Sequence, residues 1–119
     1  MTAIIILNWN GADDTLACLD SLRKAEGDFR VYVVDNGSTD DSLQRIGAWL
    51  DAHKGFDAQL VPLDRNYGFA RGNNMGLEVA RENAPGSYLL LAMLHSLQCT
   101  SEFPLSVWNL SADGLRYPA

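Results

Sequence analysis

Val31-Tyr32-Val33-Val34-Asp35-Asn36-Gly37-Ser38-Thr39-Asp40 decides how this chain reads: an unbroken apolar run enters a carboxylate, a turn and a pair of hydroxyls. Strands buried on both faces read as continuous apolar runs, and open α/β sheets bind ligands beyond the carboxyl ends of such strands. The stretch therefore predicts an inner strand that ends in a nucleotide site.

The flanking sequence repeats the pattern. Ala3 to Leu7 is a first apolar run, closed by Asn8-Trp9-Asn10-Gly11, as strand and turn chemistry require. Asp13 or Asp14 can cap a helix in which Leu16, Leu19 and Leu22 recur, while Arg23 and Lys24 suit its C-terminal dipole and Gly27 its end. Arg30 to Val34 is a second strand. Asp40 or Asp41 can cap a second helix striped by Leu43, Ile46, Trp49 and Leu50. Gln59 to Leu63 is a third strand, and its Pro62 points to a strand end or an edge. A third helix from Phe69 towards Asn83, with Met75, Leu77 and Val79 inward, stops at Pro85-Gly86. Tyr88 to Met93 then reads as a fully buried fourth strand.

Strict alternation predicts right-handed crossovers and a largely parallel sheet. The fold class is α/β, a Rossmann-like parallel sheet with flanking helices, followed by an irregular tail. All strand C-termini share one edge, where Asn8 and Asn10, Asp35 to Thr39 and Asp64 to Asn66 form a polar row that core packing does not ask for. Beyond residue 93 the alternation stops, and only Glu102, Asp113 and Arg116 are charged there.

Composition narrows the function. A chain of 119 residues fits one domain that buries about two thirds of its unfolded surface. Lys+Arg 9 against Asp+Glu 15 gives a net charge of -6, which argues against a broad grip on nucleic acid or anionic lipid. A phosphate must then be met locally, by backbone amides, one Arg or a bound cation. Cys18 and Cys99 lack a Cys-x-x-Cys partner or a His cluster, so both read as reduced thiols. No basic leader opens the sequence, and the apolar run from Tyr88 to Leu94 is too short to span a bilayer. A soluble, cytoplasmic chain is expected. His95 and Cys99 have no partners at nucleophile spacing and read as structural, and Asn109-Leu110-Ser111 matches a glycosylation acceptor only by accident.

Within the polar row, Asp35 can accept two hydrogen bonds from a base or ribose edge. Its competing role is that of a turn former, and its place between a buried strand and a helix start favours the ligand. Asn8 and Asn10 offer amides that donate and accept; Trp9 can pack on a base or roof the core. Gly72 and Gly76 sit inside a helical pattern, each at about 1 kcal/mol against Ala, and imply close approach of either a ligand or the sheet. Free amides at that helix start, with Arg71, can face a phosphate or a sugar.

Taken together, Ile4-Ile5-Ile6-Leu7-Asn8-Trp9-Asn10-Gly11, Val34-Asp35-Asn36-Gly37-Ser38-Thr39-Asp40 and Asn66-Tyr67-Gly68-Phe69-Ala70-Arg71-Gly72-Asn73-Asn74-Met75-Gly76 resemble family 2 glycosyltransferases in order and spacing. Within that family they look most like bacterial rhamnosyltransferase-type enzymes that build cell-wall, capsular or lipopolysaccharide glycans. The resemblance covers residues 1–92. It implies the N-terminal half of a GT-A fold that binds a UDP- or dTDP-type nucleotide-diphosphate sugar and transfers the sugar, with inversion, to a glycan or lipid-linked acceptor. It implies Asp35 at the pyrimidine, Asn8 and Asn10 near the nucleoside, and Gly37 and Ser38 shaping that pocket. Asn66, Gly68, Arg71 and Asn74 would lie towards ribose, diphosphate or sugar. For full-length members it also implies peripheral placement at the inner face of a membrane.

The departure from the family is equally specific. The resemblance implies an Asp-x-Asp type motif after the fourth strand, holding Mg or Mn against the diphosphate, whereas this chain reads Met93-Leu94-His95-Ser96. Hard cations want carboxylate oxygens, and an inverting transfer wants a general base. Neither the acidic motif nor the downstream base is recognisable, so no catalytic or metal-ligating residue is assigned. Residues 1–92 are read as an incomplete GT-A domain and 93–119 as a non-homologous tail, from a frameshift, a truncated gene or a wrong gene boundary. Two functions stay open: a catalytically deficient glycosyltransferase, and a non-catalytic nucleotide or nucleotide-sugar binding module.

Overall fold

The computed structural model describes residues 1–83, 85–92, 109–111 and 114–116. Two β-branched apolar runs form the centre, β1 (Thr2–Asn8) and β2 (Phe29–Asp35), paired in parallel with Ile4 opposite Val31 and Asn8 opposite Asp35. β3 (Ala58–Pro62) lies outside β2, and β4 (Ser87–Ala92) lies on the far side of β1. Every pairing in the order β3-β2-β1-β4 is parallel. Pro62 thus ends an edge strand, where its missing N–H breaks no ladder.

Side-chain alternation along the central strands builds two cores. Ile4, Ile6, Val31 and Val33 face Cys18 and Leu19 of α1 (Ala12–Arg23) and Ile46 of α2 (Ser42–Ala52). Ile5, Leu7, Tyr32 and Val34 face Leu77 and Ala80 of α3 (Phe69–Arg81). Helices on both faces explain why β1 and β2 carry no polar alternation. The direction of strand order reverses at β1, so the switch-point crevice opens between the C-terminal ends of β1 and β4.

Several local expectations are corrected. Gly11, not Asp13 or Asp14, is the N-cap residue of α1: the helix begins at Ala12, which puts both acids inside its first turn, and the Asp13 carboxylate pairs with Arg45 of α2 at 2.6 Å. The buried stripe of α1 runs through Ala12, Thr15, Cys18 and Leu19, while Leu16 and Leu22 are half-buried. In α2, Leu43 points outward and Trp49 stacks on His53 with ring centroids 4.0 Å apart. Tyr88, Leu89 and Leu90 are half-buried, since among the described residues β4 pairs on one side only. In the tail, β5 (Asn109–Ser111) and β6 (Gly114–Arg116) pair antiparallel. Three-residue strands are too short to show a period. Met93, His95 and Cys99 lie outside the described residues. No helix among the described residues is long and apolar enough to cross a membrane.

Candidate functional site

At the carboxyl edge, β1 and β2 end opposite each other on two polar residues, Asn8 and Asp35, which are 0% and 2% exposed. Burying them is tolerable only because every group finds a partner. Asn8 Nδ2 donates to Asp35 Oδ1 at 3.0 Å and to Ser38 Oγ at 3.3 Å. Ser38 Oγ–H donates to Asp35 Oδ1 at 2.6 Å, and the Ser38 amide to Asp35 Oδ2 at 3.1 Å. The Thr15 hydroxyl, also fully buried, donates to Asn8 Oδ1 at 2.6 Å. Asp35 Oδ1 is therefore saturated by internal donors, and Oδ2 keeps an acceptor position.

Asn10 adopts φ 50°, a left-handed conformation that Asn tolerates better than most residues. Its backbone amide donates to Ser38 Oγ at 2.9 Å, and its Oδ1 accepts from the amides of Thr39 at 2.8 Å and Asp40 at 3.2 Å. The loop after β1 thus holds the loop after β2 in shape. Asp40 Oδ1 accepts from the Ser42 amide at 2.9 Å in the first turn of α2.

A second network ties the β2 loop to the β3 loop. Asn36, 3% exposed, donates from Nδ2 to Asn66 Oδ1 and to the Gly68 carbonyl, both at 3.2 Å, and accepts from the Tyr67 amide at 3.0 Å. Gly37, at φ 72°, lies so close beneath Arg65 and Asn66 that a Cβ would overlap their backbone. Asn66 Oδ1 also accepts from the Gly68 amide at 2.7 Å, and Gly68, at φ 85°, is the N-cap residue of α3.

Arg65 and Arg71 place their guanidinium carbons 4.9 and 5.1 Å from the Tyr67 ring centroid. The Tyr67 hydroxyl donates to Asp64, which holds that carboxyl below its ordinary range. Two cations therefore flank one aromatic ring at the start of α3. Asn74 sits half-buried one turn beyond Arg71. Gly72 and Gly76 serve packing against the sheet. A Cβ at Gly76 would stand 2.5 Å from Val34 Cγ2, and one at Gly72 would stand 2.9 Å from Leu7 Cδ1 and 3.1 Å from Asn36 Nδ2.

The structure thus brings Asn8, Asn10, Asp35 and Ser38 into one network and Gly37, Asn66 and Gly68 into another, with Arg71 and Asn74 on α3 beside them. Trp9 is 41% exposed and does not roof the core. Sequence reasoning missed Thr15 and Asn36. Thr15 falls three residues after Ala12 and four before Leu19, so a hydroxyl on the apolar stripe was the signal; Asn36 was hidden inside a turn motif. No three His, Cys, Asp or Glu side chains among the described residues gather as a metal site. The acids in the loops at the edge are engaged: Asp35 with Asn8 and Ser38, Asp40 with the Ser42 amide, and Asp64 with Tyr67. The described residues therefore do not fit a divalent cation.

Comparison with known proteins agrees with this geometry. The mannosyltransferase PcManGT from Pyrobaculum calidifontis, solved with GDP-Man and Mn2+, superposes with a TM-score of 0.62 at 25% identity, over 66% of this chain and 24% of its own. TarS from S. aureus in complex with UDP superposes with a TM-score of 0.62 at 23% identity, over 76% of this chain and 26% of its own. The chain spans about a quarter of the length of these two structures. A search of curated proteins gives no match. The profile described as Glycosyl transferase family 2 matches residues 3–92, most of the chain. With its parallel sheet, its two interlocked loops and that match, the chain belongs to glycosyl transferase family 2.

Proposed function

We propose that this chain forms the donor side of a glycosyltransferase, binding a UDP- or dTDP-type nucleotide sugar at the carboxyl edge of β1, β2 and β3. The observation that carries the reading is the buried Asp35, held by Asn8 and Ser38 with acceptor capacity left on Oδ2. A structural turn former has no need of the Asn8 and Ser38 side chains on its carboxylate, with Thr15 behind Asn8. The solved relatives, which hold GDP-Man and UDP, support the same ligand class.

In this role Asp35 Oδ2 accepts a hydrogen bond from the base or ribose edge, and the loop carrying Asn10 and Ser38 keeps that carboxylate in place. Arg71 and the first amides of α3 face the diphosphate, where a fixed cation and a helix N-terminus both favour negative charge. In the full reaction the sugar passes with inversion to a glycan or lipid-linked acceptor in cell-wall or surface-polysaccharide synthesis.

Calorimetry of the chain with UDP, dTDP and GDP tests the reading. Micromolar to millimolar binding, weakened at least roughly tenfold by Asp35→Asn, is expected, since a hydrogen bond to a charged group contributes about 1.5–3 kcal/mol. Equal binding by wild type and Asp35→Asn would sink it.

A second reading, a non-catalytic nucleotide or nucleotide-sugar binding module, is favoured by Met93-Leu94-His95-Ser96 standing where the resemblance implies acids. Residues 1–92 would then act as the binding unit and 93–119 as an appended tail. Donor hydrolysis with added manganese separates the two readings. Turnover by this chain excludes the second, and binding without turnover excludes the first for this chain.

A further inference from the structure

We propose that Thr15 is a positioning residue for the nucleotide site, acting through Asn8 to fix the Asp35 carboxylate; the inference rests on the nucleotide-binding reading above. Thr15 lies in the second turn of α1, fully buried on the face turned to the sheet, and cannot touch a ligand at the edge. Its hydroxyl donates to Asn8 Oδ1 at 2.6 Å.

A primary amide can occupy its site in two orientations of nearly equal shape. With its oxygen on Thr15, Asn8 turns its Nδ2 amino group towards both Asp35 Oδ1 at 3.0 Å and Ser38 Oγ at 3.3 Å. In the reverse orientation the Asn8 oxygen would face Asp35 Oδ1 and the Ser38 oxygen, whose proton already lies on Asp35. Three oxygens would then meet with a single proton, that of the Ser38 hydroxyl, among them. The Thr15 proton favours the first orientation, and that orientation leaves Oδ2 as the acceptor offered to the ligand. The ligand class this serves is a nucleoside diphosphate whose base or ribose donates a hydrogen bond.

The test uses the whole chain with Thr15→Val, which keeps the shape and loses the hydroxyl, Thr15→Ala as a second hydroxyl-free variant, and Thr15→Ser, which keeps the hydroxyl. UDP affinity is measured well below each variant's melting temperature, so that every sample is folded. T15V and T15A are expected to bind UDP roughly tenfold more weakly, and T15S within about twofold of wild type, from loss or retention of one hydrogen bond in the network. A second readout needs no ligand: exchange of the Asn8 side-chain amide protons, followed by NMR, is slow in wild type and T15S and roughly tenfold faster in the hydroxyl-free variants.

A role confined to stability would lower the melting temperature and leave the affinity of folded protein unchanged. Unchanged affinity in folded T15V or T15A, or unchanged Asn8 exchange, overturns the proposal. A wild-type chain that binds no nucleoside diphosphate refutes the nucleotide reading, and the exchange comparison then decides by itself whether Thr15 holds Asn8.

Discussion

Gly37→Ala probes the interlock of the β2 and β3 loops. Gly37 sits at φ 72°, where an L side chain costs roughly 1–2 kcal/mol. A Cβ there would overlap the backbone of Arg65 and Asn66, and backbone, unlike a side-chain tip, has no rotamer by which to escape. Relieving such overpacking typically costs about 1–3 kcal/mol. Parting the loops also strains the Asn36 bonds to Asn66, Tyr67 and Gly68, each contributing about 0.5–1.5 kcal/mol net. The backbone and overlap costs alone come to about 2–5 kcal/mol, a large share of the roughly 5–15 kcal/mol that holds a domain folded. Urea denaturation measures it, with Gly55→Ala as control, because a Cβ at Gly55 meets nothing within 4 Å. The control is expected to lie within about 0.5 kcal/mol of wild type. A Gly37→Ala midpoint equal to that of the control would refute the interlock.

Three further outcomes follow from the same geometry. Gly76→Ala should destabilise by about 1–2 kcal/mol in spite of the better helix propensity of Ala, because its Cβ would meet Val34 and Ile5; thermal melting checks this. Asn10→Ala removes the acceptor for the Thr39 and Asp40 amides and should cost about 1–2 kcal/mol, read in the same assay. Tyr67→Phe should move the Asp64 carboxyl upward towards its ordinary range, followed by NMR titration. Because the folded-state value is depressed, the stability this contact adds is present above the unfolded carboxylate range and is lost as pH falls through the lower folded value. Tyr67→Phe should therefore flatten the pH dependence only in that acidic window.

Much of the fold was legible because the strands are continuous apolar runs and the helices carry one stripe each. Pro62 and the reversal of order at β1 fit the same logic. Helix starts were less legible: Asp13 could cap on composition, and only the approach of α2 shows that Arg45 takes it. β4 has the composition of a buried strand, yet its half-buried Tyr88, Leu89 and Leu90 reflect its pairing on one side, a tertiary fact with no local signature. At the site, the motifs pointed to the carboxyl edge of the sheet, but the contacts among its polar groups had no signal in sequence. Asn10 and Asn66 read as ligand groups, and the structure adds that their amide oxygens accept from loop backbone amides, a contact set by how the loops meet. Thr15 lay inside a helix stripe, where a hydroxyl is easily read as filler. Gly72 and Gly76 were ambiguous between ligand and sheet because both require the same missing Cβ.

The proposed function stands or falls on uptake of a nucleoside diphosphate at the carboxyl edge that holds Asp35. The most direct measurement is an NMR titration of the chain with UDP, mapping amide shifts onto the structure. The largest changes are expected on residues 8–11, 35–39 and 66–71, with Asp35→Asn removing them. Changes confined to the opposite end of the sheet, around His53 and Phe56, or no saturable change at millimolar UDP, would contradict it.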